Sequence, residues 1–167
     1  MRKQLEQLKQ YRYLIVQVGA VLVLAIFIVC LLWDNTPDTV LLSTIEESLE
    51  QTEAFPGNMQ KGDSIHIRRL YGINVNDYPE VFSYIPENSM DVDELLLVHV
   101  ADSDQIQTIK SAMEARLSSQ KTNFDGYGTD QTELLNNATI KSRGNYVWFA
   151  VGKNHTNWVK TIEEELH

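Results

Sequence analysis

The chain has 167 residues, with 14 Lys and Arg against 23 Asp and Glu, which gives a net charge of −9 at pH 7. Residues 34–167 are more acidic still, because they hold ten basic residues against 22 acidic ones, a net of −12. A surface of this sign argues against nucleic acid and anionic lipid as partners.

A long apolar stretch, residues 14–33, follows a basic tail of residues 1–13. About 20 residues in a helix cross the ~30 Å hydrocarbon core of a bilayer, so the stretch predicts a transmembrane helix with the lipid bilayer as a partner. Basic residues precede it, and Asp34 and Asp38 follow it. This asymmetry predicts a single-pass protein of the cytoplasmic membrane, with the N-terminus inside and the C-terminal domain outside.

A cleaved signal is the alternative interpretation of the same stretch. A secretory h-region has about 7–15 apolar residues and ends at small residues, whereas this run is longer. Cys30, the single cysteine, could mark a lipoprotein signal, but Val29 stands where a small residue is expected. We therefore favour an uncleaved anchor. In it, Cys30 could acquire lipid or pair with a second chain, although an inert thiol facing lipid is the simpler expectation.

Residues 34–62 are predicted to form a juxtamembrane helix and a linker. Val40, Leu41, Ile45 and Leu49 have the spacing of an amphipathic helix, and Asp38 is a suitable N-cap. The helix could dock on the domain that follows, or it could form a stalk that presents a partner-binding stripe.

Residues 63–167 are predicted to form one extracytoplasmic domain. The pattern predicts a helix between Asp63 and Gly72, then two strands. Next come a long helix whose apolar stripe includes Ile109 and Met113 and a short helix after Thr129, then a hairpin and a last helix. The four strands are 80–85, 94–100, 139–143 and 146–151. This order predicts an α+β fold with a four-stranded antiparallel or mixed sheet, covered by helices on one face.

The sequence contains no motif that identifies catalytic, cofactor-binding or metal-binding residues, and we expect no cofactor. The four histidines are His66, His99, His155 and His167, and their spacing fits no metal-ligand pattern. The segment from Gly126 to Gly128 is best interpreted as a structural turn. Arg68 and Arg69 form the one adjacent basic pair of residues 34–167, which could bind a carboxylate or phosphate, although a local ion pair is the simpler expectation.

Several segments together resemble a known family: RRLYGINVNDY, NSMDVDELLLVHV, AMEARLSSQKTNFDGYGTDQ and SRGNYVWFAVG. The chain is similar over residues 63–152 to an uncharacterised bacterial family, domain-of-unknown-function family number 4358, found in membrane-anchored or lipoprotein-like extracytoplasmic proteins. The resemblance implies an accessory role in modifying cell-envelope polymers. The matching positions are Tyr71, Gly72, Met90, Glu94, Arg116, Gln120, Phe124, Gly126, Tyr127, Gly128, Gly144, Asn145 and Tyr146.

Three functions remain open at this point. The first is a membrane-anchored binding or accessory module with a membrane or envelope protein as partner, whose candidate interaction surface includes Met90, Tyr127 and Arg143. The second is a small envelope hydrolase or transferase, in which a serine or an acid meets His99 or another base. The third is a relay that senses a ligand outside and acts through a membrane partner.

Overall fold

The structure is a computed structural model that describes residues 16–28 and 40–167. The chain divides into two compact units, Met1–Asn35 and Thr36–His167. In the first unit, residues 16–28 form helix α1, and its large apolar side chains are exposed. The predicted basic tail, Cys30 and the predicted cap Asp38 lie outside the described residues.

The prediction of a single transmembrane helix over residues 14–33 is corrected by the structure. Residues 16–28, the part of this stretch that the structure describes, are helical. Within residues 16–28 and 40–167, no helix has both the length and the apolar character needed to cross a membrane. The predicted single-pass localisation in the cytoplasmic membrane, which depended on that helix, is contradicted with it.

The second unit contains one antiparallel sheet of five strands. The strands are β1 Met59–Lys61, β2 Glu80–Pro86, β3 Glu94–His99, β4 Thr139–Arg143 and β5 Tyr146–Val151. Their spatial order is β1-β2-β3-β5-β4, and every neighbouring pair is antiparallel. The α+β class is confirmed, but the count of four strands is wrong. Strand β1 has only three residues, too few to show the alternation that identifies a strand, and it pairs at the edge of the sheet.

Within residues 40–167, five α-helices accompany the sheet. They are α2 Leu42–Glu50, α3 Ser64–Tyr71, α4 Gln105–Phe124, α5 Thr129–Asn136 and α6 His155–Glu165, with a short 3-10 helix at Val75–Asp77. Helix α3 begins and ends as predicted, because the Asp63 carboxylate accepts the His66 backbone N–H and Gly72 has φ 71°.

Helices cover both faces of the sheet, so the prediction of one covered face is wrong. Successive residues of a strand point to opposite faces, and in β3 Leu95 and Leu97 pack with α2 and α6. Leu96 and Val98 pack with α3, α4 and α5 on the other face. The continuous apolar run of β3 follows from this arrangement, because a strand buried on both faces needs apolar residues at every position.

Helix α2 docks on the domain rather than forming a stalk. Its side chains Leu42, Ile45 and Leu49 are buried in the same cluster as the inner residues of α6. The Tyr84 hydroxyl donates to Glu46 Oε1 at 2.8 Å, which ties the helix to strand β2. Each fully buried aliphatic side chain contributes about 1.5–3 kcal/mol, so the three together hold α2 firmly in place.

Candidate functional site

A buried carboxylate lies at the first residue of β3. Glu94 has no exposed surface, and its two oxygens accept hydrogen bonds from side chains of two helices. Arg116 donates from Nη2 to Oε2 at 2.8 Å and from Nε to Oε1 at 3.1 Å. The Tyr71 hydroxyl donates to Oε1, and Gln120 Nε2 lies 3.5 Å from Oε2. We call these four residues the Glu94 cluster.

The helical repeat explains how the donors reach Glu94. Arg116 and Gln120 are four residues apart on α4, so their side chains lie one above the other on the same side of the helix. Tyr71 is the last residue of α3, which packs on the same face of the sheet. Two helices therefore place their donors at one end of β3.

The electrostatics of the Glu94 cluster indicate a structural role. Burial raises the pKa of the Tyr71 hydroxyl well above 10.0, and the charge of Glu94 raises it further. Tyr71 therefore stays a neutral donor to the carboxylate at physiological pH. Since both oxygens of Glu94 are paired and the carboxylate has no exposed surface, the cluster fixes the end of the strand.

The loop that precedes Glu94 presents Met90 to solvent, with 50% of its surface exposed. The Met90 backbone N–H donates to Asn88 Oδ1 at 3.0 Å, and Gln131 Nε2 donates to the Met90 carbonyl oxygen at 3.2 Å. Because both backbone groups of Met90 are held, the exposed thioether side chain stands on an ordered loop.

Tyr127 stands on the connection between α4 and α5, and 66% of its surface is exposed. Its ring contacts the buried ring of Phe124, with centroids 5.9 Å apart. Gly126 has φ 84°, a backbone conformation that side chains with a Cβ rarely adopt. A Cβ at Gly128 would lie 2.7 Å from Phe124 Cδ1, so this close approach also needs glycine.

Gln131 links the loop that carries Met90 to the segment that carries Tyr127. Its Nε2 holds the Met90 carbonyl oxygen, and its Oε1 lies 3.1 Å from the position that a Cβ would take at Gly128. A shallow cleft of about 270 Å³ lies beside Tyr127, between residues 124–129 and Thr132. We call residues 86–93 and 124–136 the Met90–Tyr127 surface.

Arg143 lies at the other end of the sheet. It pairs with Tyr146, which in turn pairs with His99 at the last residue of β3. The six residues of β3 separate that end from Glu94 by about 16 Å at 3.3 Å per residue. The Arg143 guanidinium contacts the end of α6, where Nη2 lies 3.1 Å from His167 Nδ1. Met90 and Tyr127 thus stand on two segments that Gln131 links, whereas Arg143 lies at the opposite end of the sheet.

The four histidines are dispersed, each beside its own neighbour. His66 lies against Asp63 and His167 against Arg143, whereas buried His155 contacts the Gly152 carbonyl oxygen at 2.7 Å. His99 stacks on the Tyr146 ring with centroids 4.5 Å apart. Across the described ranges, no three His, Cys, Asp or Glu residues are grouped so that they could hold a metal ion.

We did not predict that Glu94 would be buried and paired, because it follows Asp91 and Asp93 closely in an acidic segment. Two features could have identified it. Glu94 begins a strand whose other residues are almost all apolar, and Arg116 and Gln120 have the i, i+4 spacing that places two donors on one side of a helix.

Comparison with known proteins confirms the family resemblance. A family model described as a domain of unknown function, DUF4358, matches residues 52–152. This range includes the Glu94 cluster and the Met90–Tyr127 surface, and it excludes helices α2 and α6. No curated protein and no solved structure matches the chain. Since the family model covers more than half of the 167 residues, the chain belongs to the DUF4358 family.

Proposed function

We propose that this protein is a binding module whose Met90–Tyr127 surface receives a segment of a partner protein. The segment carries an apolar side chain flanked by Lys or Arg. The observation that carries the proposal is the exposure of two apolar side chains, Met90 and Tyr127, on two segments that Gln131 joins. An accessory role, in which the module acts by engaging another protein, agrees with this property.

Few large apolar side chains are exposed in this domain, so the presence of two of them on linked segments indicates an interaction surface. Among residues 40–167, four large apolar side chains are mostly exposed, namely Leu41, Ile65, Met90 and Tyr127. Scattered single residues of this kind are normal, whereas neighbouring ones favour an interaction surface. Met and Tyr are also enriched at protein interfaces, where each contributes a large contact area.

The charge of the surface indicates the kind of partner. Residues 86–93 and 124–136 contain six acidic residues and no Lys or Arg. Acidic side chains around an apolar centre attract a partner with basic residues at the rim, and they repel an acidic one. An apolar side chain on the partner would fill the cleft of about 270 Å³ beside Tyr127.

The Met90–Tyr127 surface is already ordered, which favours a higher affinity for the partner segment. Met90 is held through both its backbone groups, and Tyr127 packs on buried Phe124. The Glu94 cluster fixes the start of β3, four residues after Met90. A surface that is already ordered loses less conformational entropy on binding, so more of the contact energy appears as affinity.

A synthetic peptide tests the proposal directly. Its sequence places one Leu between pairs of Lys, and two control peptides replace the Leu by Ser or the Lys by Glu. Calorimetry with the full chain should show binding of the first peptide and much weaker binding of both controls. Tyr127→Ser and Met90→Ser should each weaken binding by about 5- to 30-fold, the range for 1–2 kcal/mol at a central contact.

Matched variants separate this surface from general attraction to an acidic protein. Leu41→Ser removes an exposed apolar side chain elsewhere, and Glu114→Gln removes an exposed acid of α4, so both should leave binding nearly unchanged. Asp130→Asn, within the surface, should lower the affinity and the salt dependence. The proposal fails if the Leu and Ser peptides bind equally well, or if Leu41→Ser weakens binding as much as Tyr127→Ser.

A further inference from the structure

A second concave site lies at the far end of α4 from Tyr127. The 3-10 helix Val75–Asp77 contacts the start of α4, where Gln105 Nε2 lies 3.5 Å from the Asp77 carbonyl oxygen. Tyr127 follows the end of that 20-residue helix, which is about 30 Å long. The site is therefore separate from the Met90–Tyr127 surface.

The site is a cleft of about 490 Å³ between α3 and the 3-10 helix. On α3, Ser64 and Arg68 are four residues apart, as are Ile65 and Arg69, so the two rows of side chains lie next to each other. The opposite wall consists of residues 74–76. The cleft thus combines two guanidinium groups with polar and apolar side chains.

The two arginines have no counter-charge in the described part of the chain. We expected a local ion pair, but neither guanidinium group forms an ion pair or a hydrogen bond with any residue in 16–28 or 40–167. The two nearest acids in sequence have other neighbours, because Asp63 contacts His66 and Asp77 accepts from Asn74 Nδ2 at 3.0 Å. Acidic residues outnumber basic residues in this unit, so two adjacent arginines without an ion-pair partner are unusual there.

Polar donors and an apolar wall accompany the arginines. The Ser64 hydroxyl and the Asn76 side-chain amide also have no hydrogen-bond partner among the described residues. Ile65 is 73% exposed at the cleft, and Val75 lies on the opposite wall. The cleft therefore offers several donors for an oxyanion and an apolar surface beside them.

We propose that this cleft binds a small organic anion. The arginines hold its carboxylate or phosphate group, and its apolar part packs against Ile65 and Val75. A planar guanidinium group donates two parallel hydrogen bonds to such an oxyanion, which lysine cannot do. The acidic surface elsewhere repels anions, so binding that occurs despite this repulsion must come from local contacts in the cleft.

Calorimetry on the full chain with three probes tests the assignment. Phenyl phosphate and phenylacetate carry the two candidate head groups on the same ring, and inorganic phosphate lacks the ring. At least one of the two aromatic anions should bind. The one with the higher affinity shows whether the cleft prefers a phosphate or a carboxylate group. Phenyl phosphate should bind better than inorganic phosphate, and Ile65→Ser should remove that difference.

Variants of the arginines decide whether the cleft is responsible. Arg68→Gln and Arg69→Gln should each lower the affinity for the tighter-binding aromatic probe about tenfold, equal to about 1.4 kcal/mol. Arg68→Lys keeps the charge but loses the paired donors, so it should also weaken binding. Lys153→Gln, an exposed cation with no ion pair among the described residues, is the matched control and should have less than about a twofold effect.

Two outcomes would overturn the proposal. One is the absence of binding by both aromatic anions up to their solubility limits. The other is an equal loss of affinity in Lys153→Gln and Arg68→Gln, which would indicate diffuse attraction. The four substituted positions are exposed, and thermal unfolding of each variant verifies that the fold is retained.

Discussion

Arg116 and Glu94 form a two-point contact at the start of β3, with Nη2 2.8 Å from Oε2 and Nε 3.1 Å from Oε1. The Glu94 side chain has 0% exposure and the Arg116 side chain 13%. Both charges have lost most of their water, so each depends on the other for compensation. The pair joins α4 to the strand whose preceding loop carries Met90.

Loss of one partner should therefore be costly. Arg116→Met leaves a buried carboxylate without its counter-charge, and we expect the free energy of unfolding to fall by about 3–5 kcal/mol. Lys160→Met removes an exposed partner of Glu164 and should change stability by less than about 0.5 kcal/mol. Urea denaturation followed by circular dichroism measures both. Equal effects of the two substitutions would contradict this account of the cluster.

A double variant tests whether the uncompensated charge causes the loss. Glu94→Gln with Arg116→Met removes both charges and keeps an acceptor for the Tyr71 hydroxyl. We expect it to be more stable than Arg116→Met alone, because no buried charge is left unpaired. If the two losses simply add, packing rather than charge determines the stability of the cluster.

Ionisation of Tyr71 should destabilise the fold at alkaline pH. Burial and the Glu94 charge raise the pKa of its hydroxyl well above 10.0 in the folded state. Because the Tyr71 pKa is higher in the folded state than in the unfolded chain, where it is 10.0, the neutral hydroxyl stabilises the fold fully below pH 10.0. This stability is lost as the pH rises above that value. Tyr71→Phe should lose less stability than the wild type between about pH 8 and about pH 11. Urea midpoints across this range test the difference, with Tyr127→Phe as the exposed control.

Asp63 should contribute stability of the opposite pH dependence. The backbone N–H of His66 is the main reason that the Asp63 pKa lies below its ordinary value of 3.8. A carboxylate whose pKa is lower in the folded state stabilises the protein at pH values above its pKa in the unfolded chain. This stability is lost as the pH falls through the folded pKa. Asp63→Asn keeps an oxygen that can cap α3 but removes the charge. Its melting temperature should be below that of the wild type at neutral pH, and the gap should close in acid.

Local patterns predicted most of the second unit. The stripe of α4, the caps of α3 and the alternation in β5 each depend on neighbours within one helix or strand, so the sequence shows them directly. Strand β1 depends on pairing with β2 rather than on its own three residues. The covering of both faces depends on how helices distant in sequence pack, so it was not predicted.

The candidate site was predicted only in part. Met90 and Tyr127 were named from the family resemblance, whereas the link between their two segments is the contact of Gln131 with the Met90 carbonyl oxygen, across 41 residues, which no local pattern reveals. The burial of Glu94 similarly depends on donors from two helices. For the apolar stretch of residues 14–33, composition alone predicted a transmembrane helix, whereas none of the helices within residues 16–28 and 40–167 has the length and apolar character to cross a membrane.

Gly128 provides the most local test of the Met90–Tyr127 surface. A Cβ at this position would lie 2.7 Å from Phe124 Cδ1 and 3.1 Å from Gln131 Oε1, so the buried ring beneath Tyr127 would have to move. Gly128→Ala should cost about 1–3 kcal/mol of stability through overpacking. Because the same shift displaces Tyr127 and Gln131, the affinity for the Lys-flanked Leu peptide should also fall about tenfold.

Gly72→Ala is the matched control for Gly128→Ala. Gly72 has φ 71° and nothing within 4 Å of a Cβ, so the substitution strains the backbone at the end of α3 without moving a neighbour. It should cost about 1 kcal/mol of stability and leave the peptide affinity unchanged. Calorimetry and urea denaturation of the two variants separate a general loss of stability from a distorted surface. If Gly128→Ala binds the peptide as well as Gly72→Ala does, the geometry around Phe124 and Gln131 does not determine binding.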